Sequence, residues 1–353
     1  MPMLADLIDA VVGGDTHRDT HALEIATPAG AVIATRSISN DEDGFADAVA
    51  WIVEHAPGPR IVIGLEGTRS YGIGLARALA AAGLHVVEVV RPRRGERRRG
   101  KSDPIDAHLA VLAVLRMDPD RLPVPRADGN REALRILLGA RRELTLTKTR
   151  QTNRLRALLL AGDDTDRGLA RGRLSDTRLA AISRRRARAG ESTEQAIRRG
   201  EARRLAEGIR HATRDLAANK KQLADLVAVH APHLLDKTGV GPVSAAQALV
   251  SWSHHGRCRN DAAFAALAGV CPIPASSGRT TRHRLNRGGD RQLNRALHDI
   301  ILTRSRICPR TQAYIAQRRR QGKTDREIRR CLKRHIAREL FRTLQTTTPT
   351  TTT

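Results

Sequence analysis

The sequence predicts a mixed α/β domain followed by a long helical region and a second, mainly helical domain. Three observations predict it. Apolar runs with strand and helix periods alternate over the first 115 residues, strand signals vanish after about residue 126, and a Gly/Pro-punctuated pattern resumes near residue 236. The first strand begins in the apolar stretch Ile8–Val12, ahead of Gly13-Gly14-Asp15. A second spans His21–Ala26, and the turn Thr27-Pro28-Ala29-Gly30 leads into a third over Ala31–Ile38. Acidic residues 40–43 open a helix whose apolar stripe is Phe45, Val49, Ile52 and Val53. Residues 60–66 read as a short buried strand, 72–83 as a helix, 85–90 as a strand, and another helix opens at Asp103. The order β-β-β-α-β-α-β-α, three antiparallel strands feeding parallel ones, is that of the ribonuclease-H-like (RuvC-like) fold.

Residues 126–230 are rich in Arg, Leu and Ala. Leu205, Ile209, Ala212, Leu216, Asn219, Leu223 and Leu226 step by alternating fours and threes, a coiled-coil seam over three heptads. Leu134, Leu137, Ala140, Leu144, Thr147, Gln151, Leu155 and Leu158 supply a weaker partner helix. Both an antiparallel hairpin within the chain and a dimerisation element satisfy this pattern. Residues 162–200 are irregular. From 231, Thr238-Gly239-Val240-Gly241-Pro242 opens a helix in the manner of helix–hairpin–helix proteins, whose amides at Gly239 and Gly241 would meet phosphate. An ordinary Gly-Pro helix start is the plainer alternative. The Thr-rich residues 345–353 read as a disordered tail.

Composition narrows the function. Lys and Arg number 62 against 37 Asp and Glu, a net charge of +25, which calls for a polyanionic partner such as nucleic acid. Two Trp, two Tyr and three Phe are too few for a single-strand binder built on stacking platforms. The four cysteines form no CxxC pair, which argues against a zinc ribbon or a disulfide scaffold. With no long apolar run and no leader-like N-terminus, a cytoplasmic protein is expected, nucleoid-associated when bound to DNA, with no membrane partner.

Chemistry is expected at carboxylates. Asp15 ends the first strand and Glu66 the fourth, and those ends are neighbours in a sheet of this order. Asp103 and Asp106 are three apart on one helix and face the same way. Four converging carboxylates repel unless cations neutralise them, and two Mg²⁺ ions about 4 Å apart would do so while clamping a phosphodiester. Asp103 with Pro104 is equally a helix cap. Asp19 competes with Asp15, but lies beyond the glycines on a solvent-facing stretch. Beside the acids, Arg91, Arg93, Arg94, Arg97, Arg98, Arg99 and Lys101 put seven cations into eleven residues, suited to a phosphate backbone and otherwise a solvated loop. Further on, Ser276-Ser277-Gly278 precedes Arg279, Arg282, Arg284 and Arg287. A serine there is a candidate nucleophile whose attack on phosphate guanidinium groups would assist, or part of a polar turn.

The segments GGDTHRDTH (13–21), GLEGTRSYG (64–72), KSDPIDA (101–107), TGVGPVSA (238–245) and LAGVCPIPASSG (267–278) occur in that order. Together they closely resemble the IS110 insertion-sequence transposases, the bridge-RNA-guided DNA recombinases, across residues 8–342. The resemblance implies a RuvC-like DEDD nuclease domain over 8–125, a basic coiled-coil region over 126–230, and a transposase domain with a catalytic serine over 231–344. By motif match the four acids fall on Asp15, Glu66, Asp103 and Asp106, as Mg²⁺ ligands, and the serine on Ser277, next to Ser276. It implies donor and target DNA, a structured noncoding RNA and a dimer or tetramer as partners. Asp290 departs from the pattern, where Asn after glycine is common. The rival expectations are a RuvC-like hydrolytic nuclease that uses water instead of serine, and a non-catalytic basic nucleic-acid-binding protein whose acids are helix caps.

Overall fold

The computed structural model describes residues 3–89, 103–126, 128–275, 283–284 and 286–346, and of Asp103, Pro104, Arg121 and His283 the backbone alone. The chain divides into two compact units, Met1–Glu132 and Ala133–Thr353.

In the first unit a five-stranded sheet has the order β3-β2-β1-β4-β5. Its strands are β1 (Ala10–Thr16), β2 (Thr20–Ala26), β3 (Val32–Ser39), β4 (Ile61–Leu65) and β5 (His85–Glu88). The first three pair antiparallel, and β4 and β5 run parallel to β1. Helices α1 (Glu42–His55), α2 (Ile73–Ala81) and α3 (Asp103–Leu115) supply the outer layers. This mixed α/β sheet is consistent with a ribonuclease-H-like fold. β1 runs through its glycines to Thr16, further than the apolar pattern alone reaches. It is central, with partners on both sides, so its ladder holds residues of low strand propensity.

Alternation along β1 assigns its faces. Ala10 and Val12 join Leu23, Ile25 and Ile63 against Trp51 and Ile52 of α1 and Leu75 and Leu79 of α2. Val11 faces the other way, with Val62 and Val87, against Ala110, Val111 and Val114 of α3. Each buried Val, Leu or Ile among them contributes about 1.5–3 kcal/mol relative to exposure. α1 starts where Asp41 accepts the Gly44 amide at 2.8 Å and ends at Ala56, ahead of Pro57.

The second unit is almost entirely helical. α4 (Gly129–Leu160) and α7 (Thr193–His230) are long, and the irregular stretch between them holds the short α5 (Asp164–Arg171) and α6 (Asp176–Ser183). A capping box of Ser192 and Gln195 starts α7. α8 (Pro232–Leu235), α9 (Pro242–Trp252) and α10 (Asp261–Leu267) follow, then the two-stranded ribbon of β6 (Ile273–Pro274) and β7 (His283–Arg284), then α11 (Arg291–Ile307), α12 (Pro309–Arg320) and α13 (Asp325–Gln345).

α4 and α7 lie antiparallel within the chain. The Asn219 amide donates to Leu137 O at 2.9 Å, the Arg141 guanidinium to Leu216 O at 3.0 Å, and Gly208 faces the Gln151 side chain. Leu205, Ile209, Ala212, Asn219 and Leu223 are buried in this single chain, as the intramolecular hairpin requires. Leu216 and Leu226 of the same seam are half-buried. On α4 the buried residues are Leu134 and Leu155, both expected seam positions, and Leu138 and Leu159, each one beyond an expected position. They fall into two separate cores. Leu155 and Leu159 join Leu179, Ile182, Leu205 and Ile209, whereas Leu134 and Leu138 join Leu223, Val227 and the helices after residue 231.

Candidate active site

Strand pairing settles where two of the acids stand. Gly14 pairs with Leu65, and the Glu66 amide donates to Gly14 O at 3.0 Å. Asp15 and Glu66 therefore leave adjacent ends of parallel strands, and both are buried, at 5% exposure. The residue two before each acid is a glycine, and each glycine admits α3. A Cβ at Gly13 would lie 2.2 Å from Ala107 O and 2.7 Å from Val111 N, and one at Gly64 2.2 Å from Val114 Cγ2. Since side chains alternate, Asp15 and Glu66 come off the sheet on the α3 side. Asp106 is buried at 2% on α3, beside the Ala107 carbonyl that covers Gly13.

The backbone of Glu66 is held from both sides. Its amide bonds Gly14 O, and its carbonyl accepts the Thr16 hydroxyl at 3.0 Å. The turn after it wraps Thr16. Gly67 takes a left-handed φ of 61°, and a Cβ at Gly67 or Gly72 would meet the Thr16 side chain at under 3 Å.

The rest of the 13–21 motif supports Asp15. His17 Nε2 lies 3.0 Å from Asp15 Oδ2. His21 is fully buried, stacks on Phe45 and bonds Asn40 Oδ1 at 3.0 Å, and burial holds its imidazole below the usual range. Asp19 is exposed and paired with Arg18, as its position beyond the glycines implies.

Asp103 opens α3, three residues before Asp106, but its side chain is outside the described set. Among the described residues no group of three or more His, Cys, Asp or Glu forms a ready metal centre. The donor set fits a hard divalent cation even so, because buried carboxylate oxygens at two strand ends and on the covering helix are the ligands such ions take.

A further carboxylate on this face escaped sequence reasoning. Glu24 pairs with Gly13 across β1 and β2, is buried at 4%, and accepts from His108 Nδ1 of α3 at 2.6 Å. An acid inside the apolar run His21–Ala26 was the available signal. Thr16 gave none, since its partner is a backbone carbonyl fifty residues away.

In the second unit the expected serine stretch joins the two strands of the β6–β7 ribbon, where Ile273 pairs with Arg284. Ser276, Ser277, Arg279 and Arg282 lie outside the described residues, as does the whole run Arg91, Arg93, Arg94, Arg97, Arg98, Arg99 and Lys101. Arg284 and Arg287 are exposed. The flanks of the ribbon are fixed by a backbone-to-backbone contact. Gly269 has φ 66°, a Cβ at Gly289 would fall 2.3 Å from Gly269 N, and the Asp290 amide donates to Leu267 O at 2.7 Å. Asp290 caps α11 by accepting the Gln292 and Leu293 amides, and its other oxygen takes the Ser251 hydroxyl at 2.7 Å.

The Gly239–Gly241 turn serves packing in part. Gly239, at φ 78°, lies against α11, where a Cβ would meet Arg304 Cγ at 3.0 Å and Ile300 O at 3.2 Å. The Gly241 amide is taken by Ser244 Oγ at 3.1 Å, so of the two glycine amides expected to meet phosphate, this one already has a partner.

No helix among the described residues is long and apolar enough to cross a membrane. Residues 12–161 match the family model for the DEDD-type IS110 transposase, described as Transposase. Residues 231–316 match the model described as Transposase IS116/IS110/IS902 family. The first segment holds Asp15, Glu66, Asp103 and Asp106, and the second holds Ser277. No curated protein matches the chain.

Proposed function

The chain belongs to the IS110 family of insertion-sequence transposases and is a DNA transposase, and from that premise we propose that it cuts and rejoins DNA through a transient phosphoserine at Ser277. The observation that carries the reading is the meeting of Asp15 and Glu66 at paired strand ends, with α3 laid across them through Gly13. Residues 8–125 are the nuclease part, 126–230 the basic helical region and 231–344 the part that carries the serine.

Asp15, Glu66, Asp103 and Asp106 would hold Mg²⁺, as two ions. When bound, the metal polarises the phosphoryl group and stabilises charge on the departing oxygen. Thr16 and the Gly14 carbonyl fix the Glu66 backbone, and His17 orients Asp15. Ser277 Oγ forms a bond to phosphorus as the bond to a deoxyribose oxygen breaks, and the serine proton ends on that oxygen. The phosphoserine keeps the bond energy, so a deoxyribose hydroxyl of the second duplex reverses the step and joins the strands without ATP. Selection of donor and target falls to a structured noncoding RNA by base pairing, which suits a chain with much positive charge and no recognised base-reading module. Two duplexes need a homo-oligomer, a dimer or tetramer.

The test is a covalent protein–DNA adduct trapped by denaturation after incubation with Mg²⁺, RNA and both DNA partners. Ser277→Ala should abolish the adduct and Ser276→Ala should retain it. The reverse pattern moves the role to Ser276. Metal-dependent cleavage with no adduct in the unmutated chain would replace serine by water as the nucleophile.

A further inference from the structure

α13 begins beyond both matched segments. Its apolar side, Ile328, Leu332, Ile336, Leu340 and Leu344, is buried in the core. Arg326, Arg329, Arg330, Lys333 and Arg334 step by 3, 1, 3 and 1 along another side, a cationic stripe about 12 Å long at 1.5 Å per residue. A charged helix face is ordinarily a convex, solvated surface. This one is concave. It lines a cleft of ≈ 760 Å³ whose other walls include Gly269–Pro272, Arg284 and Asn286, the flanks of the β6–β7 ribbon, with Asn294 and His298 of α11 and Arg318 of α12.

Positive charge in this cleft is in large excess. Glu327 is the one carboxylate among its described lining residues, and it is engaged by the Thr324 amide and hydroxyl, each at 2.8 Å. Arg326, Arg329, Arg330 and Arg334 form no ion pair within 4 Å among the described residues. Neighbouring arginines that face elsewhere do pair: Arg319 with Asp325, Arg338 with Asp261, and Arg304 with Glu339.

Lys333 is half-buried and fixed. Its Nζ donates to Asn294 Oδ1 at 2.6 Å, and the Asn294 amide donates to Ala268 O at 2.8 Å, directly before Gly269. The ammonium is thus tied to the base of the ribbon that carries Ser277. Burial pushes its pKa down, against the weaker pull of Asp299. A partly desolvated cation with only a neutral amide as partner is costly until an anion completes it.

We propose that this cleft is a phosphate-binding groove for duplex DNA, in which Lys333 is the fixed anchor and Arg326, Arg329, Arg330 and Arg334 follow the backbone beside the attacked phosphodiester. The proposal rests on the reading that Ser277 attacks DNA, since that is what makes DNA the polyanion at the ribbon.

The experiment uses the full chain carrying Ser277→Ala, so that no covalent link contributes, and a short fluorescent DNA duplex titrated by anisotropy over a range of salt. Lys333→Ala should weaken binding and lower the slope of log K against log salt by about 1, and Arg329→Ala with Arg330→Ala by about 2. Lys333→Arg should restore the slope, which a merely structural lysine would not do. If Lys333→Ala melts early, the exposed Arg329/Arg330 pair carries the test. Unchanged affinity and slope in the Arg329/Arg330 variant would overturn the groove, as would a loss confined to structured RNA. Because no adduct is read, failure of the serine assignment leaves this result standing, and the reverse also holds.

Discussion

Asp106→Asn and Glu66→Gln are each expected to cut strand transfer by about 10²–10³-fold, the scale of removing one group that stabilises transition-state charge. The melting temperature should not fall. Each amide keeps the shape of the acid it replaces, and each substitution removes a buried negative charge from a face that also holds Asp15 and Glu24. Relief of like-charge repulsion offsets whatever hydrogen bonding is lost. Chelation of divalent metal from the unmutated enzyme should reproduce the activity loss. Wild-type strand transfer in either variant would mean that these carboxylates are structural and that the metal is held elsewhere.

Gly13→Ala should damage the site and the fold together. The new Cβ would stand 2.2 Å from Ala107 O, a backbone atom that no rotamer change can move, and ordinary contact begins at 3.4 Å. α3 must withdraw by about 1 Å, a misplacement that alone can cost about 10²-fold in rate. Overpacking of this kind also costs about 1–3 kcal/mol of stability. The expected result is a protein that folds, melts several degrees lower, and is nearly inactive because Asp106 is displaced along with α3. Activity and melting temperature are measured on the same preparation. Full activity in Gly13→Ala would show that the α3 approach does not set the site.

The element order of the first unit was legible because each strand and helix carries its own periodicity and punctuation. Asp41 caps α1, Pro57 follows its end, and Ile61–Leu65 is uninterrupted by polar residues. Asp15 and Glu66 were legible for the same reason, since strand ends follow from strand positions. What sequence could not supply was long-range pairing. The Thr16 hold on Glu66, the Glu24–His108 pair and the Lys333–Asn294–Ala268 chain join residues 26 to 84 apart, and no local pattern encodes them. The heptads of α7 were visible, but heptads repeat identically in an intramolecular hairpin and in a dimer. The hairpin within the chain shows itself only in pairings such as Asn219 to Leu137 O and Arg141 to Leu216 O. The stripe on α13 was present in the sequence at helical spacing. It looked like one more basic segment in a chain with 62 Lys and Arg, and only its concave setting separates it from the others.

The α4–α7 hairpin has apolar packing near its two ends and hydrogen bonds at its waist. No side chain of α4 between Leu138 and Leu155 is buried, and none of α7 between Ala212 and Asn219. There Arg141 bonds the Leu216 carbonyl at 3.0 Å, and burial holds its guanidinium below the usual range. The two long helices are thus continuous as backbone but discontinuous as cooperative units, because opening free energy follows local apolar contact. Amide hydrogen exchange should resolve this as two slow-exchanging blocks, one around Leu155 and Ile209 and one around Leu138 and Leu223, separated by faster amides at residues 141–147 and 213–218. Uniform protection along both helices would make the hairpin a single foldon. With two blocks, the far end near residues 162–192 can melt and re-form without loosening the core that holds the β6–β7 ribbon.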